Sequence, residues 1–217
     1  MIYRLSGFKI GTGNIKLYRR CRKGIRIKYI KFAAKFVDVN NDGLLDQSDM
    51  VYLGTGDPVV YGGFQNDFTI YKNLNIGFYL AYSLGGKMYN LSELWMGSTT
   101  SSYNKYRYIL NAWDEELRPD SDIPKAGYND AFASDRQVHD ASFLRLKSVS
   151  ISYNINFKKN RVKKYIKSMA VGVSGENLFL WKNYNGFDPD VSTSLYRLDN
   201  GSFPRPRTVV FNLSMNF

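Results

Sequence analysis

The sequence predicts an all-β chain: an antiparallel stretch of transmembrane β-barrel wall, incomplete by itself. Three observations carry that reading. The final segment, RTVVFNLSMNF, alternates apolar and polar residues and ends on an aromatic. The segments joining the strand-like stretches alternate between long and short. One face of each stretch is mostly aromatic or branched aliphatic, and the other is mostly Ser, Asn, Gly and Ala. Side chains alternate across a strand, so each stretch presents two surfaces of opposite polarity. A barrel wall needs such surfaces, with lipid outside and water or a plug inside.

Composition agrees. The chain has 217 residues, with 17 Tyr, 14 Phe and 18 Gly, a bias toward strands. No apolar run approaches the ~18 residues of a membrane helix. The start, MIYRLSGFKIG, lacks the apolar core of a secretory signal, which an exported barrel requires. The sequence therefore reads as a piece of a longer precursor. Cys21 is the single cysteine, so no internal disulfide is expected.

The net charge of +11 is unevenly placed. Arg4, Lys9, Lys16, Arg19, Arg20, Arg22, Lys23, Arg26, Lys28, Lys31 and Lys35 meet no acidic residue before Asp38. The remainder is balanced, so residues 1–37 form a basic arm and residues 38–217 the barrel portion. Such an arm can touch nucleic acid or anionic lipid. It reads more simply as atypical sequence at a truncated or frame-shifted start, and no nucleic-acid partner is expected.

Five strands follow in order. Over residues 59–71, Phe64, Phe68 and Ile70 oppose Gln65, Asp67 and Thr69. Over 74–84, Leu74, Ile76, Phe78, Leu80 and Tyr82 oppose Asn75, Gly77, Ala81 and Ser83. The third sets Val149, Ile151, Tyr153, Ile155 and Phe157 against Ser148, Ser150, Ser152, Asn154 and Asn156. Over 168–182, Met169, Val171, Val173, Phe179 and Trp181 oppose Ala170, Gly172, Ser174 and Glu176, and Asn177 breaks the pattern. The terminal strand sets Val209, Phe211, Leu213, Met215 and Phe217 against Val210, Asn212, Ser214 and Asn216.

Two details constrain register. Leu144 and Leu146 have the opposite parity to Val149 and Ile151, so a bulge or a membrane exit is required near Lys147. The first two apolar faces match only if their turn has an odd residue count, such as 71–73.

Counted back from Phe217, the connections are long (183–204), short (158–167), long (87–142), very short (72–73) and long (38–58). With Phe217 at the periplasmic side, all three long loops lie outside and both turns inside. A soluble sandwich has no reason to sort its loops so. Five strands are also too few to close a transmembrane barrel, whose smallest examples have about eight. The alternative is a soluble or surface β module that binds carbohydrate, with a calcium-ordered loop.

That loop is DVNNDGLLDQSD. Asp38, Asn40 and Asp42 occupy positions 1, 3 and 5 of an EF-hand-type loop, Gly43 the sharp turn, and Leu44 the backbone-carbonyl position. Asp46 and Asp49 follow at 9 and 12. Calcium takes six to eight oxygens, which this spacing can supply; an Asn/Asp/Gly loop also turns without metal. No other cofactor is expected. The sole histidine, His139, reads as a solvated loop residue, and the Asp114, Glu115, Glu116 run as a solvated face. Trp95, Tyr103, Tyr106, Tyr108 and Trp113 could stack on sugars or pack an interface. No nucleophile elbow or phosphate loop is present, so no enzyme is expected.

DVNNDGLLDQSDMVYLG, NAWDEELRPDSDIPKAG, ASDRQVHDASFLRLKSVSISYNI, VSGENLFLWKNYNGFDPDVS and GSFPRPRTVVFNLSMNF occur in that order. Together they resemble the SusC/RagA family of TonB-linked outer-membrane proteins of Bacteroidetes-type bacteria, over about residues 36–217. The resemblance implies the C-terminal strands of a 22-stranded TonB-dependent receptor barrel in the cell outer membrane. It implies uptake of glycans, oligosaccharides or peptides, with a SusD-like surface lipoprotein and the TonB complex as partners. Phe211, Leu213, Met215 and Phe217 would be the signal read by the outer-membrane assembly machinery. The plug, the TonB-contacting region and most strands have no counterpart here, and residues 1–35 do not resemble the expected loop.

Overall fold

A computed structural model describes residues 2–3, 16–21, 24–28, 36–45, 47–127, 133–157, 165–190 and 197–217. The chain divides into two units interleaved in sequence: 1–55, 87–139 and 192–201 form one, and 56–86, 140–191 and 202–217 the other. The basic arm falls in the first unit, and much of it lies outside the described residues.

The second unit carries the sheet expected as barrel wall. Its five strands are β1 (Val60–Ile70), β2 (Leu74–Leu84), β3 (Phe143–Asn156), β4 (Ser168–Lys182) and β5 (Thr208–Asn216). They lie in one sheet in sequence order, each antiparallel to its neighbours. These are the five expected strands. Among the described residues no further strand pairs with β1 or β5, so the sheet is open and no closed barrel is formed.

Both register constraints are met. Ile70 pairs with Leu74, leaving Tyr71, Lys72 and Asn73 as a three-residue turn. Tyr71 and Lys72 have φ of 50° and 66°, and the Asn73 amide donates to the Ile70 carbonyl at 3.3 Å. Leu146 pairs with Leu80 and Ser148 with Tyr79, so Lys147 is an extra residue against β2. On the other side Leu146 pairs with Phe179 and Ser148 with Glu176, so Asn177 and Leu178 face Lys147 alone. Asn177 takes φ 52°, the left-handed geometry of a bulge residue that Asn tolerates better than most side chains. The break at Asn177 and the parity change at Leu146 are thus one feature.

The paired bulges keep one face apolar from end to end. Leu144 lies opposite Tyr82 and Trp181, and Leu146 opposite Leu80 and Phe179. Ile151 lies between Ile76 and Val173, and Tyr153 between Leu74 and Val171. The sequence ended the preceding connection at 142 and left a bulge or a membrane exit open at Lys147; the structure has the bulge. The bulge lets the ladder run on to Phe143, because it restores both the pairing and the side-chain parity.

Gly63 sits under the Tyr79 ring, where a Cβ would come within 2.5 Å of ring atoms. The aromatic covers backbone that a glycine leaves bare. On β2 itself, Gly77 lies beneath the Asp67 carboxylate and the Ser150 hydroxyl, so side chains from β1 and β3 meet over it.

The first unit holds most of the 38–58 and 87–142 connections, whereas residues 183–191 of the third long connection belong with the sheet. The 87–142 connection, read from sequence as a plain loop, carries its own structure. Asn90 caps α1 (Leu91–Met96) by accepting from the Glu93 amide at 3.0 Å, and Gly97 follows the helix. Short 3₁₀ turns occupy Arg107–Asn111 and Asp135–Gln137. Strands Lys87–Asn90, Val138–Asp140 and Leu198–Asp199 form a small sheet. Near the start, Lys16–Cys21, Gly24–Lys28 and Leu44–Leu45 form another, and Ile2–Tyr3 pairs with Met50–Val51. Two- to six-residue strands are too short for a periodicity to show.

A β-branched residue at Asn177 forces a positive φ that it tolerates poorly and deletes the amide donor to the Pro206 carbonyl at 3.2 Å. Asn177→Val is expected to destabilise the wall by about 1–3 kcal/mol, and Asn177→Gly by less. Urea midpoints of detergent-folded protein check the order.

Candidate functional site

The apolar face is the first candidate surface. Phe78 sits between Phe64 and Phe68, with ring centroids 5.9 and 6.3 Å away. Phe179 and Trp181 stack at 5.9 Å. Phe64, Phe68, Ile151, Tyr153, Val171, Phe179 and Trp181 are exposed. An apolar surface this broad marks a contact with lipid or protein. Among the described residues no helix is long and apolar enough to cross a membrane.

The terminal strand continues that face. Met215 pairs with Met169, Leu213 with Val171 and Phe211 with Val173, and all three are exposed, as is Phe217 just beyond β5. The other face runs Ser168, Ala170, Gly172 and Ser174 beside Asn216, Ser214, Asn212 and Val210. Asn216 donates to the Ser168 hydroxyl at 2.9 Å. Along these two strands that face is built mostly of small residues.

In the acidic loop, the Asp38 carboxylate accepts from the amides of Asp42 (3.2 Å) and Gly43 (2.9 Å). Asn40 accepts from the Asp42 amide at 3.1 Å, and Asp42 from the Leu44 amide at 2.7 Å. Buried Asp49 accepts from the Val39 amide at 2.8 Å. Gly43 has φ 76°, the sharp turn the sequence required. Among the described residues no three acidic or imidazole groups converge as a metal site, and Asp46 lies outside them. These hydrogen bonds fold the loop back on itself as an Asx-rich turn.

In the 87–139 region the sequence reading needs one correction. His139 is not a solvated loop residue. It lies on the short strand Val138–Asp140, and its Nε2 pairs with the Glu93 carboxylate of α1, both side chains mostly covered. A strand three residues long gave no signal, and partners 46 positions apart are invisible to local pattern. Nearby, burial followed by the Glu93 charge raises the Tyr89 hydroxyl above its ordinary pKa. Burial, then Glu93 and Asp199, does the same for Tyr106. Raised phenol values keep these groups neutral, so their contribution is complete below about pH 10 and lost as pH climbs through the raised values.

Of the five loop aromatics, Trp113 is buried, its indole N–H donating to the Pro119 carbonyl at 2.9 Å. Trp95 and Tyr103 are exposed, with tilted rings 6.3 Å apart, and Tyr106 stacks on Tyr108 at 5.8 Å. Glu115 and Glu116 are solvated as expected. Asp114, solvated with them, accepts from the amides of Leu117 (3.0 Å) and Glu116 (3.1 Å), and those two bonds lower its pKa.

The feature that sequence reasoning missed lies at the start of β3. Arg145 is 2% exposed and donates through Nη2 to Asp188, itself 2% exposed. Asp190 lies 3.7 Å from Arg145 Nε and 3.1 Å from Arg205 Nε. Asp188 also accepts from the amides of Asp190 (3.0 Å) and Arg205 (3.3 Å). The acids of FDPD and the arginine of RPR hinted at charge pairing, but only the fold brings in Arg145.

No family model matches the chain. It is 31% identical to TonB-dependent receptor P26 of Formosa agariphila, over 89% of this chain and 20% of that protein. It is 28% identical to TonB-dependent receptor SusC of Bacteroides thetaiotaomicron, over 84% of this chain and 17% of SusC. The chain is a homologue of TonB-dependent receptors. It spans about a fifth of the length of these curated relatives. The structure of the RagAB peptide importer in its open-open state aligns with the whole chain at TM-score 0.72 and 21% identity, over 22% of that chain. A RagAB peptide transporter structure covers 81% of this chain at TM-score 0.69 and 24% identity, over 19% of its own length. These likenesses show the fold. The five strands match a stretch of barrel in the RagAB structures, the fold class that the alternating segments implied, and the curated relatives are named as TonB-dependent receptors.

Lowering pH through the depressed pKa of Asp114 is expected to free the Glu116 and Leu117 amides, because that carboxylate's contribution exists above its unfolded value and vanishes as it protonates. Hydrogen exchange at Leu117, corrected for intrinsic rate, reads the change. Asp114→Asn keeps an acceptor and should flatten the pH response.

Proposed function

We propose that this chain forms barrel wall and outer loops of a TonB-dependent importer in a bacterial outer membrane, taking up oligosaccharides or peptides. The observation that supports it best is the single apolar face kept continuous across the double bulge at Lys147 and Asn177. A soluble module has no use for so apolar an exterior, interrupted on β1 by Asn66 opposite Phe78, backed by a face rich in Ser, Asn and Gly. The sorting of long connections to one end supports the same reading. The two ends of a receptor wall meet different partners: loops meet substrate, turns meet the periplasm.

In this role the polar face lines the lumen, and the aromatic face meets acyl chains. A SusD-like surface lipoprotein would act above the long loops, and TonB would act through parts of the receptor beyond this sequence. Phe211, Leu213, Met215 and Phe217 would be presented to the assembly machinery as a regular row, which the exposed β5 face supports. Calcium at Asp38, Asn40, Asp42, Leu44, Asp46 and Asp49 belongs to the proposal as an addition to a loop already ordered by hydrogen bonds.

The deciding experiment fractionates a Bacteroidetes-type cell producing the chain. The expected result is outer-membrane fractionation, with a band that migrates differently before and after boiling. Recovery as a dissolved monomer without detergent overturns the importer reading and favours a carbohydrate-binding module. Phe217 deletion should lower the membrane-inserted amount severalfold while leaving synthesis unchanged. For calcium, the expected outcome is a chelator-sensitive rise in protease resistance near residue 42, absent in Asp38→Ala; identical digestion with and without chelator removes the ion from the proposal.

A further inference from the structure

The row of Arg145 is buried on the wrong side for lipid. Along the start of β3, Phe143 and Arg145 are buried while Leu144 between them is exposed. Leu144 belongs to the apolar exterior, so Phe143 and Arg145 point inward. Further along the same face Ser150 is exposed. The interior wall is therefore covered at one end only, the end where the long connections attach.

What covers it is described chain. Tyr184, Asp188 and Pro189 are buried, and Asp188 closes on Arg145. The Asn183 amide donates to the Ser142 carbonyl at 3.1 Å, and its side chain donates to Asp140 at 3.1 Å. Lys182 donates to the Gly186 carbonyl, folding the segment back on the end of β4. Gly186 is required there, since a Cβ would lie 2.2 Å from the Tyr184 ring. On the return, Arg205 is tied to Asp188 and Asp190, and the Pro206 carbonyl to Asn177.

We propose that residues 184–190 form a strap across the interior face of the outer rim, latched by Arg145, whose release uncovers the lumen wall to solutes entering from outside. This rests on the importer reading for its direction, inside and outside. Arg145 acts here as a positioning residue. Its guanidinium has one buried carboxylate partner in contact and a second, Asp190, at 3.7 Å, with Nε lacking a hydrogen bond. Removing either partner of this buried pair strands a charge, so the contact is a single point at which the strap is held or released.

The test places a thiol on the interior face, one pairing step from Arg145. Ser83 is buried, lies opposite Phe143 in the sheet, and is small enough for Ser83→Cys to be conservative. In a Cys21→Ser background, cells are exposed to a polymer-tagged maleimide that cannot cross the outer membrane. The expected result is slow labelling with Arg145 intact, at least tenfold faster labelling in Arg145→Ala, and an intermediate rate in Arg145→Lys. Should Arg145→Ala fail to assemble, Asp188→Asn removes the charge at constant volume and is expected to accelerate labelling likewise. Rapid labelling with the latch intact overturns the proposal, as do equal rates in latch variants that keep the heat-modifiable band. Failure of the importer reading shows differently, as absence from the membrane fraction, since labelling is read on whichever fraction holds the protein.

Discussion

A strand that crosses a bilayer must satisfy every backbone amide and carbonyl through its neighbours, because hydrocarbon offers no partner and each lost bond costs several kcal/mol. It must also keep one face apolar along the crossing. These demands collide wherever a residue is inserted, since one extra residue reverses the parity of everything beyond it. In this wall the collision occurs at Lys147. The sheet resolves it by spending two bulges in register: Lys147 is extra against β2, and Asn177 with Leu178 is extra against Lys147. Leu144, Leu146, Phe179 and Trp181 then rejoin the exterior, and the ladder resumes on both sides.

The side chains at this junction match the task. Asn at φ 52° accepts the left-handed bulge, and its amide reaches the Pro206 carbonyl. Lys147, left over by the pairing, places its ammonium 5.7 Å from the Tyr79 ring, so the unpaired residue keeps an interaction on the interior. Tyr79 in turn covers Gly63. Bulge, cation and aromatic cover are adjacent across three strands.

The wall was legible in the sequence because its physics is local. Period-two alternation needs only neighbours along the chain, and Ser148 to Asn156 states it without interruption. Even the bulge was legible, as a parity conflict between Leu146 and Val149, and the odd turn 71–73 followed from matching two faces. The site was less legible. Glu93 with His139, and Arg145 with Asp188, are partners 46 and 43 residues apart. Nothing in the alternation of β3 distinguishes Arg145 from a solvated lumen residue; its burial depends on where the 184–190 segment returns. The acidic loop falls between these cases. Its spacing showed a tight Asx-rich turn, which the amide bonds to Asp38 and Asp42 bear out, whereas metal affinity depends on convergence of oxygens that spacing alone does not fix.

The energetic character of the two kinds of contact explains their different jobs. In the proposed barrel the apolar exterior gains little by packing on itself, because lipid is as apolar as its side chains, so it would specify the membrane and not one loop arrangement. A buried ion pair adds little net stability when intact, but losing one partner costs about 3–5 kcal/mol through the stranded charge. Such a contact discriminates sharply between the arrangement that pairs it and every arrangement that does not. Placed at Arg145, where a long return segment could settle in many ways on a polar wall, it selects one. That is why the most buried charge in the wall stands at the rim, where the chain has the most freedom to misplace itself, and not in the middle, where the ladder already decides.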